Sequence, residues 1–256
     1  MTIDYTKEGK IAIFTINRPE TRNAIGVDDL RMLHETMVDF RDDPDLWVGI
    51  ITGAGEKAFS AGADVNDVLP YDQKNRSKPG STPATPMRGL ELWKPLIAAM
   101  NGYAYGGGLE IALSCDIRIA ADSAKMGLTE VNLGLIPGWG GTQRLPRIVP
   151  AAIAAEMLFS GKIIDAQEAY RTGLVNRVVP QDQVMPTAME LAETICKAGP
   201  LAVRAAKEAM VKGLNASLTE GLQIEDGLVI SLFQTEDFNE GLKAIGEKRA
   251  PDFKAK

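Results

Sequence analysis

Residues 101–144 read NGYAYGGGLEIALSCDIRIAADSAKMGLTEVNLGLIPGWGGTQR, and the fold turns on how this stretch is parsed. Before it, PLIAAMNG is a short apolar run of the kind that forms a buried strand. Gly106, Gly107 and Gly108 then break the run, LEIALSC continues at helical spacing, and DIRIAA returns to strand. A strand, a glycine turn, a helix and another strand within thirty-odd residues predict an α/β fold. Glycine permits close backbone approach, and a helix N-terminus offers unpaired N–H groups and partial positive charge. Together they suit an oxygen that becomes negative during a reaction. On the glycines alone, a plain strand-to-helix turn is the stronger reading. A dinucleotide site is disfavoured, because the glycines do not follow G-x-G-x-x-G.

Glu110 stands two residues after the last glycine, among Leu109, Ile111, Ala112 and Leu113. It is either a solvated charge favoured by the helix dipole or a carboxylate turned into a partly dry cleft, where its pKa rises. Glu130 follows 20 residues later in LTEVNLGLIPG, just before a Gly/Pro turn. Alone, each reads as a structural charge. As a pair in glycine-bracketed apolar segments they are candidates for acid–base work. Spacing does not establish that they face each other.

Outward from this centre, the pattern repeats. Thr2–Thr6 and Ile11–Asn17 read as a hairpin around KEGK, and a helix is expected from Asp28, its N-cap, with Leu30, Leu33, Met37 and Phe40 on one stripe. WVGIITGAG is a buried strand. It is followed by AFSAGADV, Ala58–Val65, where small residues let a ligand lie against backbone and Asp64 is placed to cap the next helix. Residues Asp72–Pro86 are rich in Pro, Ser and Thr and predict a mobile loop. Asp165 and Glu168 have capping-box spacing, and from Leu201 the chain reads as mostly helical, LAVRAAKEAMVKG stopping at Gly213. No fixed-period repeat is visible.

Composition sets outer limits. The 256 residues are 45% hydrophobic and 24% charged, ordinary values for a globular chain with a sizeable core. The net charge of −6 disfavours nucleic acid as a partner. Cys115 and Cys196 lack CxxC spacing and predict free thiols in a reducing compartment, and His34 is the single histidine, so no metal cluster is expected. The N-terminus carries acidic residues and no apolar run approaches the roughly 18 residues of a membrane span, so a cytoplasmic protein without membrane association is the expectation.

AFSAGADV, NGYAYGGGLEIALSCD and LTEVNLGLIPGWGGTQRL, in this order, resemble the signature blocks of the crotonase family, the enoyl-CoA hydratase/isomerase superfamily. The resemblance extends from NRPETRNA through SGKIIDAQEAYRTGLVNRVV to EKRAPDFK, nearly the whole chain. It implies a spiral core of repeated ββα units in residues 1–200, carrying the CoA and acyl pocket. It also implies a helical trimerisation region in residues 201–256, with a hexamer of two trimers as the assembly. By resemblance, the oxyanion hole maps onto the N–H groups of Ala63 and Gly107, and the catalytic carboxylates onto Glu110 and Glu130. CoA contacts map onto Arg22, Ala24, Ala61, Asp64 and Val65. Lys248 matches a position that reaches a CoA phosphate of an adjacent subunit. The implied substrate is an acyl-CoA thioester and the implied activity hydration of a 2-enoyl-CoA, with isomerisation or hydration of a cyclic or dienoyl thioester as the alternatives. No cofactor is required, since coenzyme A belongs to the substrate. Trp139 departs from the family pattern, which carries a smaller residue there, and an indole beside the acyl pocket would limit its shape or stack on a flat acyl group.

Overall fold

The computed structural model describes residues 2–256; Met1, the first residue of the expected 1–200 region, lies outside them. The chain opens with the antiparallel pair β1 (Ile3–Glu8) and β2 (Ile11–Ile16), turning at Gly9. A short strand β3 (Ala24–Ile25) leads into helix α1 (Val27–Asp42). Three turns of a spiral follow. The first holds β4 (Val48–Gly53), β5 (Ala58–Ser60), β6 (Gly62–Ala63) and α2 (Val68–Asn75). The second holds β7 (Leu96–Met100), β8 (Tyr103–Tyr105) and α3 (Gly107–Ser114). The third holds β9 (Ile117–Ala121) and β10 (Lys125–Gly127), a 3-10 turn at Glu130–Leu133, then α4 (Gly141–Ile148) and α5 (Ala151–Ser160).

Each turn gives its first strand to one sheet and its next to another. The six-stranded sheet has the order β1-β2-β4-β7-β9-β12, closed by β12 (Arg177–Val179). The four-stranded sheet has the order β11-β10-β8-β5, with β11 at Ile164–Asp165. Successive turns stack in parallel, Ile50 beside Ile97 and Ala99 beside Ile119. This is the expected ββα spiral. Central parallel strands are covered on both faces and need near-continuous apolar sequence; Leu96–Met100 is buried at every position. The turns begin at Val48, Leu96 and Ile117, at unequal intervals, which is why no period shows in the sequence.

The remaining helices are α6 (Ala166–Arg171), α7 (Val184–Cys196), α8 (Pro200–Gly213), α9 (Leu218–Leu232) and α10 (Glu236–Glu247). Asp165 caps α6, with Glu168 N donating to its Oδ1 at 2.8 Å, but the expected capping box is not closed, because the Glu168 carboxylate accepts from Arg171 instead. The end of the chain folds back onto α10, where Asp237 accepts from Lys254 N and Ala255 N. Among the described residues no helix is long and apolar enough to cross a membrane.

Three local expectations are corrected. Helix α1 is capped at Gly26, not Asp28: Gly26 N donates to Asp29 Oδ2 and Val27 N to Asp67 Oδ2, leaving Asp28 exposed beside Arg31. Asp64 does not cap α2. Asp67 precedes that helix, while the Asp64 carboxylate lies 3.5 Å from Arg18 Nη2. Within Asp72–Pro86, Asp72–Asn75 complete α2, and the remainder is fastened by Tyr71 Oη donating to Ser81 O and by His34 Nδ1 at 2.5 Å from Ala84 O. A carbonyl only accepts, so His34 carries its proton on Nδ1.

Candidate active site

The β8–α3 turn bends at Gly106, whose φ of +51° and ψ of −125° suit glycine. Gly107 is then the first residue of α3, where an N–H has no intrahelical carbonyl to meet. Close approach fixes the next glycine as well. A Cβ on Gly107 would stand 2.6 Å from Trp139 Cε3 and 3.2 Å from Ala63 N. The indole therefore lies against the Gly107 backbone, and the Ala63 amide lies beside it. Ala63 is brought there by the parallel pairing of β3 with β6, which sets Ala24 beside Gly62 and Ile25 beside Ala63.

Glu110 sits one turn into α3 and is only 2% exposed. Its Oε1 accepts from both Trp139 N and Gly141 N at 2.7 Å. Burial pushes its pKa up, against the pull of those two donors and of the Arg144 and Arg76 charges. Glu130 begins the 3-10 turn after β10. A Cβ on Gly106 would be 3.2 Å from its Oε1, so the carboxyl faces the glycine turn directly. Its Oε2 is buried with no hydrogen-bond partner. Burial first, and the Glu110 charge after it, raise the Glu130 pKa to about 7. Two carboxyl groups, one held by backbone amides and one left open, thus sense each other across a partly dry space.

That space is a cavity of about 930 Å³. Ala63, Val65, Gly107, Glu110, Glu130 and Trp139 all line it, so six of the residues singled out in the sequence converge. Trp139 is 6% exposed and forms a flat wall. Arg22, Ala24, Ala61, Asp64 and Lys248 do not line this cavity. Ala61 N donates to Arg22 O at 2.9 Å and Ala24 pairs with Gly62, so these three lie along the β3–β6 edge. Arg22 is exposed, with φ +58°. Lys248 ends α10 and is exposed, apart from the cavity wall.

The sequence reading missed two arginines. Arg144, in the first turn of α4, donates from Nη1 to Trp139 O and from Nη2 to Pro86 O and Met87 O at 3.1 and 2.8 Å. Arg76 donates to Asp72 Oδ2 and, from Nη2, to Gly138 O at 2.7 Å. No local pattern announces bonds that span about sixty residues.

Comparison with known proteins bears on the family and the fold. The sequence model described as enoyl-CoA hydratase/isomerase matches residues 6–256. An (E)-benzylidenesuccinyl-CoA hydratase of Thauera aromatica is 42% identical over 254 residues, covering 99% of both chains. A short-chain-enoyl-CoA hydratase of Clostridium acetobutylicum is 43% identical over 244 residues, covering 95% of this chain and 94% of the relative. The crystal structure of an enoyl-CoA hydratase from Bacillus anthracis superposes with a TM-score of 0.93 at 39% identity, over 100% of each chain. On sequence, fold and coverage together, the chain belongs to the enoyl-CoA hydratase/isomerase family.

Proposed function

We propose that the protein is a hydro-lyase that adds water syn across the 2,3 double bond of a 2-enoyl-CoA thioester, giving the 3-hydroxyacyl-CoA. The observation that carries this reading is the unpartnered, buried Oε2 of Glu130 on the cavity that Glu110 also lines. A buried polar atom without a partner is rare unless something else comes to meet it.

The thioester carbonyl oxygen sits between the N–H groups of Ala63 and Gly107. Attack at C3 pushes electron density onto that oxygen, and one such donor lowers a barrier by about 3–4 kcal/mol in comparable sites. Glu110 and Glu130 together hold the water. Glu110, with Oε1 committed to two amides, withdraws one proton as the water oxygen bonds to C3. Glu130 delivers a proton to C2. Product then carries the water's oxygen and one added hydrogen at C2, and a proton passing from Glu110 to Glu130 resets the site. A single carboxylate would serve isomerisation; two facing one cavity favour hydration.

Coenzyme A enters as part of the substrate, along the β3–β6 edge, with Arg22, Ala24, Ala61, Asp64 and Val65 as its contacts. Lys248 is assigned to a CoA phosphate bound by a neighbouring subunit. Residues 1–200 form the pocket-bearing core and 201–256 the surface that builds a hexamer of two trimers. The relatives at 42% and 43% identity are named for very different acyl groups, so identity at this level does not choose one.

Loss of the conjugated-enoyl absorbance tests the reading. Wild type should bleach a 2-enoyl-CoA, and Glu130→Gln should lose about 10²–10⁴-fold in kcat while binding thioester about as well. An unchanged rate in that variant removes Glu130 from the mechanism; no bleaching by wild type with any enoyl-CoA removes hydration.

A further inference from the structure

The cavity holds more positive charge than hydration uses. Its wall is mainly apolar, with Val68, Leu133 and Ile136 among its side chains. Of the charged groups on it, Glu110 and Glu130 belong to the proposed reaction, and Asp72 is paired with Arg76 at 2.6 Å. Arg88 is left over. It is exposed on the cavity wall, and among the described residues its guanidinium has no hydrogen-bond or ion-pair partner.

Arg88 does not ride on a loose segment. Thr85 N donates to Arg88 O and Arg88 N to Thr85 O, at 2.9 and 2.8 Å, closing a tight turn. Arg144 grips the two residues inside that turn through Pro86 O and Met87 O. A fixed turn thus sets a cation on an apolar wall. Arg76 lies on the same wall, and with donors given to Asp72 and Gly138 O it still keeps others of its five free. Gly138 adjoins Trp139, whose N–H holds Glu110, so this second guanidinium stands close to the reacting carboxylates.

A neutral acyl chain in this cavity would offer Arg88 no partner. A carboxylate would meet it with short, charge-assisted and bidentate hydrogen bonds. Building on the hydratase reading above, we propose that the acyl group hydrated here carries a second carboxylate, recognised by Arg88 with Arg76 beside it. The ligand class is a dicarboxylic 2-enoyl thioester.

The test is a ratio of kcat/KM values. One substrate is a 2-enoyl-CoA ending in a carboxylate, the other its methyl-ended counterpart of equal length. Wild type should favour the charged thioester by about 10- to 100-fold, less at high salt. Arg88→Ala should collapse that ratio and Arg88→Lys restore part of it; each enzyme is its own control for folding. A wild type that favours the neutral chain overturns the proposal, as does a ratio unchanged in Arg88→Ala. Equal losses on both substrates that vanish with pantetheine thioesters lacking the nucleotide would assign Arg88 to a CoA phosphate and also overturn it. Binding of the two saturated analogues gives the same ratio without turnover. Tight, Arg88-dependent binding of the charged analogue without hydration of any enoyl thioester would sink the hydratase reading and leave charge selection standing.

Discussion

A carboxyl group with a pKa of about 7, as at Glu130, is half protonated in neutral solution. In its proposed role of proton donor to C2 it must start protonated, so kcat/KM should fall along a one-proton limb as pH rises through about 7. A limb that instead rises with pH through that range would make Glu130 the base. The same shift acts on stability. Glu130 binds its proton more tightly folded than at its ordinary 4.5, so stability falls as pH climbs from about 4.5 to about 7, and the whole cost is present above that. The side chain is part-exposed, so only about 1 kcal/mol should survive solvent screening. Glu130→Gln should be more stable than wild type by that amount at pH 8, with no gain at pH 4. Urea melts at the two pH values measure it. A site that gains stability when its acid is removed is strained for function.

At the scale of elements, the site is where the N-terminus of α3, the turn before α4 and the segment after α2 meet. Trp139 N and Gly141 N fix Glu110, and Arg144 ties the carbonyl of the same Trp139 to Pro86 and Met87. Arg144→Met keeps the apolar stem and removes every donor, leaving three carbonyls without their charged partner. Hydrogen bonds to charged groups contribute about 1.5–3 kcal/mol each, partly replaced here by water, so a net loss of about 2 kcal/mol is expected. Thermal melting reads the loss. Trypsin should cut sooner at Lys74, Arg76 or Arg88 if the clamp holds that segment, and kcat should fall as Glu110 loosens. Unchanged cleavage in a less stable variant would confine Arg144 to general stability.

For the molecule as a whole, α8 and α9 pack on each other but leave apolar side chains outside. Leu218 is 80% exposed and Ile245 of α10 is 77% exposed. Apolar exposure on this scale is unusual in a monomer and marks a surface built to be covered. If the proposed trimers and hexamer cover it, light scattering should give the mass of six chains, and Leu218→Asp should lower it. A wild type that runs as a single chain at micromolar concentration would end that assignment, and with it the role given to Lys248 across a subunit boundary.

The sequence by itself determined the pieces whose cause is local. The glycine turn at Gly106–Gly108, the helix carrying Glu110, the buried strands of the spiral and the Asp165–Glu168 cap follow from backbone preference and apolar run length, which neighbours in sequence decide. Tertiary structure alone decided what these pieces meet. Glu130 reaches the Gly106 turn through β9 and β10, the start of α1 borrows its cap from Asp67, and Arg144 closes on Pro86 and Met87. Such contacts join turns of unequal length, so no spacing encodes them. They arise only when the two sheets stack and bring the ends of successive turns to one rim, and there the two glutamates lie on one cavity.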